Sequence, residues 1–147
     1  MAEAVFIHLV KNAGLENEIE ADSAGCGDWH MGAPAHSGTL GVLQEAGIEY
    51  SGVARRIAAE DLAAFDYIIT MDDENLRFVQ NLQSENPNSK ARIAPLLDFA
   101  PLAKQHQVRE VPDPYLVGGF DVVFRLVHAG SSGLLDEIRR EHEIYST

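Results

Sequence analysis

The sequence predicts an α/β fold, in which a doubly wound parallel sheet is flanked by helices. Short apolar segments alternate with longer segments whose apolar residues recur at helical spacing. The segment 65–71 (Phe-Asp-Tyr-Ile-Ile-Thr-Met) has the continuous apolar, β-branched run of a strand that is buried on both faces of a parallel sheet. The 147 residues contain no internal repeat and no interdomain linker, so a single domain is expected.

The first half of the chain is expected to contain two helices and two extended segments. The expected elements are a helix over 1–13, a strand over 19–24, a glycine-rich loop over 25–34, a helix over 37–46 and an extended piece over 52–57. Gly14 and Gly47 follow the two helices. Both are typical C-caps, because glycine adopts the left-handed conformation without a Cβ penalty.

The second half alternates strands and helices. The expected elements are a helical turn over 59–64, a strand over 65–71, a helix from Asp72 to about residue 82, a strand over 91–97, irregular chain over 99–111 and a long helix from about Phe120. Asp72 directly follows a strand and is a typical N-cap. Pro95 weakens the end of its strand, because proline lacks a ladder donor. Ligands of such folds bind outside the carboxyl ends of the strands.

Composition excludes several function classes. The chain has 11 Lys and Arg against 23 Asp and Glu, a net charge of −12. This balance opposes binding to nucleic acid or to anionic membranes, which both need clustered cations. No apolar run approaches 18 residues and no secretory signal is recognisable. A single cysteine, Cys26, permits no intrachain disulfide, so a cytoplasmic location is expected.

Asp113 is the first candidate for chemistry. It lies between two prolines, in Val111-Pro112-Asp113-Pro114-Tyr115. Each proline restricts its own φ and biases the preceding residue toward extended geometry. A stiff loop suits a carboxyl group that donates or accepts a proton at one place. The alternative is an idle aspartate in a surface turn, since turns favour Asp and Pro.

Cys26 does not have the surroundings of a phosphoryl-transfer nucleophile. Such a cysteine needs backbone donors and an arginine, commonly six positions later, but that position is Gly32. No nearby cation favours a thiolate, so the sequence favours a small semi-buried side chain. The six histidines show no metal-ligand spacing, and neither a Walker loop nor a dinucleotide fingerprint is found. Neither a metal nor another cofactor is therefore expected.

Two aromatic residues are the remaining candidates. Trp29, the only tryptophan, lies in the glycine-rich loop, and Tyr115 follows the Pro-Asp-Pro element. Each could simply anchor its loop. Together they suggest two walls that stack on a planar substrate.

Five segments then form a recognisable set. They are 1–6 (Met-Ala-Glu-Ala-Val-Phe), 22–30 (Asp-Ser-Ala-Gly through Gly-Asp-Trp-His), 54–56 (Ala-Arg-Arg), 65–72 and 111–115 (Val-Pro-Asp-Pro-Tyr). In composition and order they resemble the low-molecular-weight protein tyrosine phosphatases over nearly the whole chain. The resemblance implies a four-stranded, doubly wound parallel sheet and the hydrolysis of phosphotyrosine in a protein or of a small aryl phosphate.

The resemblance also implies roles for individual residues. Asp113 matches the general acid that protonates the leaving phenol and later activates water. Trp29 and Tyr115 match the aromatic walls of the phosphotyrosine pocket. Ser23 matches a residue that braces the phosphate loop. Cys26 matches a position that is not catalytic in the family.

Two departures weaken this assignment. Gly52 stands where the family usually has a histidine that supports the loop, and Leu116 stands where many members have a second tyrosine. In the family, a phosphate loop with the pattern Cys-x5-Arg-Ser lies immediately before the segment matched by 1–6. On this resemblance, residues 1–147 form an N-terminally incomplete domain that lacks the first strand, the nucleophilic cysteine and the phosphate-binding arginine.

The lack of the loop predicts an inactive chain. General acid catalysis contributes roughly 10²–10⁴-fold, whereas phosphate-monoester hydrolysis needs up to ~10²¹-fold. Without a central first strand, the segments 19–24 and 67–71 would lack a shared neighbour. Unpaired strand edges are sticky, so these segments are expected either to pair with each other or to recruit another chain, which is a route to homo-oligomers.

Three hypotheses follow. The first is a phosphatase whose sequence starts at an internal methionine. The second is a catalytically dead, phosphatase-like protein that binds partners or oligomerises. The third is an arsenate reductase, which shares the fold but uses additional cysteines, so the single Cys26 disfavours it.

Overall fold

The computed structural model describes residues 1–26, 37–48, 55–112 and 119–144, except for the side chains of 37–40. The elements in these ranges are α1 (Ala2–Asn12), α2 (Ser37–Glu45), α3 (Ala59–Ala64), β1 (Tyr67–Thr70), α4 (Asp73–Ser84), β2 (Arg92–Pro95), a 3-10 helix (Leu96–Phe99), α5 (Pro101–Gln105) and α6 (Phe120–His142). Helices therefore alternate with strands, as the sequence predicts. None of the helices in the described ranges is long and apolar enough to cross a membrane.

The sheet is parallel. β1 pairs with β2 in a register that runs from Tyr67 opposite Arg92 to Thr70 opposite Pro95. Parallel neighbours need a crossover, and α4 supplies it. An isolated parallel bridge joins Gly25 to Arg56. The predicted α/β class with a parallel sheet is confirmed, although the described ranges contain only two strands of that sheet.

The predicted helix ends are confirmed by their backbone geometry. Gly14 and Gly47, which follow α1 and α2, have φ angles of 73° and 77°. These left-handed angles are the ones that glycine accepts without strain. Asp72 caps α4, since its Oδ1 accepts a hydrogen bond from the backbone N–H of Asn75 at 2.7 Å. The acidic run after β1 is thus a helix start.

Two predicted elements are wrong. Residues 19–24 do not form a strand, because no neighbouring strand in the described ranges supplies ladder partners. The stretch 99–111, expected to be irregular, contains α5. Pro101 occupies its first turn, where the missing proline N–H costs no hydrogen bond.

β1 is less buried than its sequence suggests. Tyr67, Ile68 and Ile69 are half-buried, and only Thr70 is buried, so the prediction of a strand buried on both faces is wrong. β1 is covered by β2 on one edge, and its other edge lines an open cleft. The segment 19–24 forms the opposite wall, so the two segments have not paired with each other.

The main core lies between α1 and α6. Val5 and Phe6 of α1 pack in one cluster with Val127 and Leu134 of α6. Two glycines let α6 approach the 3-10 helix. A Cβ at Gly130 would lie 2.7 Å from Leu96 Cγ, and one at Gly133 would lie 1.8 Å from the carbonyl oxygen of Phe99.

Because Gly133 lies so close to the Phe99 backbone, the addition of one methyl group there is expected to lower the stability of the protein strongly. We expect Gly133→Ala to lower the free energy of unfolding by about 1–3 kcal/mol, because α6 must move away from the Phe99 backbone. Urea denaturation measures this change. Gly41→Ala is the matched control, since a Cβ there meets nothing within 4 Å and alanine favours a helix interior. Equal stability of the two variants would contradict the packing of α6 on the 3-10 helix.

Candidate active-site cleft

A cleft of about 1060 Å³ opens between β1 and residues 19–24. At the carboxyl end of β1, the backbone N–H of Val111 donates a hydrogen bond to the Met71 carbonyl at 2.7 Å. Val111 and Pro112 both line the cleft. The two residues before Asp113 are therefore attached to the edge at which an α/β sheet binds its ligands.

Three of the four predicted site residues lie outside the described residues: Asp113, Tyr115 and Trp29. Their roles remain predictions. The described chain before Asp113 and Tyr115 ends at Pro112, and the described chain before Trp29 ends at Cys26. Both of these flanking residues line the same cleft. The two loops that carry the predicted site residues therefore both begin at this cleft.

Ser23 lies on the wall formed by residues 19–24. Its hydroxyl donates a hydrogen bond to a carboxylate oxygen of Glu3, in the first turn of α1, and its backbone N–H donates to Asp22 Oδ1 at 2.9 Å. Ser23 thus joins this wall to the start of α1. The predicted bracing of a phosphate loop by Ser23 stays a prediction.

The start of α1 forms another part of the cleft, through Met1, Ala2 and Glu3. Burial lowers the pKa of the Met1 α-amino group, and Glu3 partly opposes this shift. The N-terminus of an 11-residue helix carries a partial positive charge. The Glu3 carboxylate in the first turn of the helix offsets part of this positive charge.

Cys26 has an environment that keeps its thiol protonated. Burial raises its pKa, and the carboxylates of Asp72 and Glu74 raise it further, while a hydrogen bond from Asn75 lowers it only in part. The Asn75 side-chain amide donates to Cys26 Sγ at 3.6 Å. A nucleophilic cysteine needs the opposite surroundings, a cation or a helix N-terminus that favours the thiolate.

Arg55 is the residue of this region that sequence reasoning missed. Its guanidinium donates to Asp22 Oδ2 at 2.9 Å and to both carboxylate oxygens of Asp61, at 3.1 and 3.3 Å. Its carbonyl accepts the Gly25 N–H at 2.7 Å. Arg55 therefore ties the wall at 19–24 to α3. The available signal was an arginine in one of the family-like segments, but one of its two partners, Asp22, lies 33 residues away in the sequence.

A polar network lies at the end of the cleft beside Tyr67, the first residue of β1. The Tyr67 hydroxyl donates to Glu141 Oε2 at 2.6 Å and lies 2.9 Å from His142 Nε2. Glu141 also pairs with Arg92. Burial and the Glu141 carboxylate raise the pKa of Tyr67 far above its usual range. The network fastens the end of α6 to both strands.

Among the described residues, no group of three or more His, Cys, Asp and Glu side chains is arranged to hold a metal ion. The Arg55 and Tyr67 side chains at the cleft pair instead with carboxylates.

Comparison with known proteins agrees with this geometry. A family model described as low molecular weight phosphotyrosine protein phosphatase matches residues 1–144. The chain belongs to this family. Low molecular weight protein-tyrosine-phosphatase YfkJ of Bacillus subtilis is 41% identical over 145 residues, covering 98% of this chain and 90% of that protein. PtpA of Staphylococcus epidermidis is 35% identical over 141 residues, covering 96% of this chain and 86% of that protein.

Solved structures of family members have the same fold. The crystal structure of YfkJ superposes with a TM-score of 0.85, covering 95% of this chain and 86% of that chain. The Drosophila arginine phosphatase DARP, 25% identical, also superposes with a TM-score of 0.85 and covers 94% of this chain and 88% of that chain. The family resemblance stated from the sequence is therefore confirmed.

The Arg55–Asp61 pair predicts a stability change with pH. Although burial opposes it, the Arg55 hydrogen bonds, the Ala58 backbone N–H and the Arg55 charge together lower the pKa of Asp61. A lowered folded-state pKa adds stability above the unfolded-state pKa, and this stability is lost as the pH falls through the folded-state value. We expect Asp61→Asn to cost roughly 1 kcal/mol at pH 7 and less at pH 3, since Arg55 is partly exposed.

Urea unfolding at both pH values measures the difference. Glu60→Gln, one residue earlier on α3, is the matched control, and we expect it to have little effect. A cost for Asp61→Asn that stays the same at pH 3 and pH 7 would contradict the assignment.

Proposed function

We propose that this chain is the scaffold of a phosphotyrosine monoester hydrolase, in which Asp113 is the general acid and Trp29 and Tyr115 form the walls of the aryl pocket. The observation that carries the proposal is the backbone hydrogen bond from Val111 to Met71, because it attaches the chain two residues before Asp113 to the carboxyl end of β1. The family match over residues 1–144 supports it, since it includes all three residues.

The chemistry assigned to Asp113 is proton transfer. When the bond between phosphorus and the phenolic oxygen breaks, the carboxylic acid protonates that oxygen, so the leaving group departs as a neutral phenol. The resulting carboxylate then takes a proton from the water that attacks phosphorus. Flanking prolines restrict the loop, which suits a donor that must act at one position.

The proposal includes a limit: residues 1–147 do not supply the nucleophile or the phosphate-binding arginine. Cys26 is the only cysteine, and Gly32 stands six positions after it. The raised pKa of Cys26 supports the same conclusion. Since general acid catalysis gives only roughly 10²–10⁴-fold, the 147-residue chain by itself is expected to show no turnover.

A chimera tests the role of Asp113. The phosphate loop and first strand of the Bacillus subtilis relative are joined directly before Met1, and p-nitrophenyl phosphate hydrolysis is measured. We expect the chimera to be active and the 147-residue chain to be inactive. In the chimera, Asp113→Asn is expected to lower kcat by ~10²–10⁴-fold and to remove the decline of kcat at high pH that reports loss of the acid proton.

Asp136→Asn, an exposed position on α6, is the matched control and is expected to leave kcat unchanged. Steady, vanadate-sensitive hydrolysis by the 147-residue chain would overturn the proposed inactivity. Hydrolysis of phosphoarginine in preference to phosphotyrosine would overturn the proposal of an aryl phosphate substrate. This comparison is needed because one similar protein, DARP, is named as an arginine phosphatase.

Cys26 provides an independent prediction in the same chimera. We expect Cys26→Ser to leave kcat and KM unchanged, because its protonated thiol hydrogen-bonds to Asn75 and is not needed as a nucleophile. Replacement of the cysteine in the added loop by serine is expected to abolish hydrolysis. The reverse pattern would assign the nucleophile to Cys26.

A further inference from the structure

The segment that leads into the Pro-Asp-Pro loop is attached to the chain after β1 by two hydrogen bonds. The Val111 N–H donates to the Met71 carbonyl at 2.7 Å. One residue earlier, Glu110 Oε1 accepts the backbone N–H of Asp73 at 3.0 Å. Val111 also packs against the main core. Residues 110–111 are therefore fixed at the turn between β1 and α4.

The Glu110 side chain caps a helix that is distant in the sequence. Asp73 is the first residue of α4, and the first N–H groups of a helix have no partner within it. The Asp72 side chain accepts the N–H of Asn75, and Glu110 accepts the N–H of Asp73. A carboxylate is favoured there, because the N-terminal end of this 12-residue helix carries a partial positive charge. Glu110 thus has a definite partner although it is exposed.

The pair of hydrogen bonds fixes a direction as well as a position. In the described part of the chain, the hydrogen bonds that join residues 109–112 to the start of α4 and the end of β1 come from Glu110 and Val111. Upstream, the Val108 N–H donates back to the Ala103 carbonyl of α5 at 2.8 Å. Two adjacent bonds to the sheet edge resist rotation of the segment, whereas the Val111 bond alone would act as a pivot.

The short chain between this cap and Asp113 transmits the direction. Glu110 precedes Asp113 by three residues, which span at most about 10 Å. Pro112 has a restricted φ, and Pro114 restricts the backbone of Asp113 itself. Few torsions can therefore absorb a movement of Glu110 before it reaches the carboxyl group of Asp113.

We propose that Glu110 is a positioning residue for the general acid. Its carboxylate caps α4, fixes the direction in which the chain leaves Val111, and so keeps the Asp113 carboxyl group at the leaving phenolic oxygen. Glu110 acts through Asp113 and does not contact the substrate. This role rests on the proposed function, in which Asp113 protonates that oxygen.

Amide hydrogen exchange, measured by NMR, tests the cap in the 147-residue chain itself. We expect Glu110→Ala to speed exchange of the Asp73 and Val111 amides by about 2- to 10-fold, because one hydrogen bond of the pair is lost. Glu110→Gln is expected to keep most of the protection, since its amide oxygen can accept the same bond. Glu74→Ala removes an exposed carboxylate from the same turn of α4, and this matched control is expected to leave the Val111 amide unchanged.

Leaving-group dependence tests the positioning role in the chimera that carries the added phosphate loop. Phenolate needs a proton to leave, whereas 2,4-dinitrophenolate does not. We expect Glu110→Ala to lower kcat/KM about tenfold for phenyl phosphate and less than about twofold for 2,4-dinitrophenyl phosphate. Glu110→Gln is expected to restore the phenyl phosphate rate. In an Asp113→Asn background, Glu110→Ala is expected to cause no further loss, because both changes act through one group.

The outcomes separate the two proposals. If Asp113→Asn is selective for phenyl phosphate and Glu110→Ala lowers both rates equally, only the role of Glu110 is overturned. If Asp113→Asn is not selective, or the chimera is inactive, the proposed hydrolysis is overturned and the role of Glu110 with it. Unchanged exchange of the Asp73 and Val111 amides in Glu110→Ala overturns the cap in either case.

Discussion

The wall formed by residues 19–24 depends on one guanidinium group. Arg55 bonds to Asp22 on this wall and to both oxygens of Asp61 on α3, and its backbone takes part in the bridge to Gly25. A segment without strand partners would otherwise be held mainly by loop contacts. Ser23 lies on this segment and Cys26 follows it by two residues, so the clamp helps to fix both positions.

The second wall is held by different interactions. β1 pairs with β2, its first residue joins the network of Tyr67, Glu141 and His142, and the carbonyl after its end accepts the Val111 N–H. The cleft therefore lies between two separately anchored segments. One edge of the cleft carries the start of the Pro-Asp-Pro loop, and its middle carries unpaired backbone.

The acidic composition constrains the proposed hydrolysis. With a net charge of −12, the chain cannot attract an anionic substrate by its overall field. An anionic ligand must instead be held by local donors. Arg55 cannot take this role, because Asp22 and Asp61 already engage it.

The sequence by itself determined the α-helices other than α5, the helix ends at Gly14, Gly47 and Asp72, the α/β class and the family. These features depend on local periodicity, on glycine and aspartate at helix ends, and on motifs read in order, as Gly14, Gly47 and Asp72 illustrate. Only the tertiary structure decided that 19–24 is not a strand and that β1 is half-buried, because strand formation and burial depend on distant neighbours. It alone revealed the Arg55 clamp, since the partners of that side chain lie 33 and 6 residues away, and no local pattern specifies such a pairing.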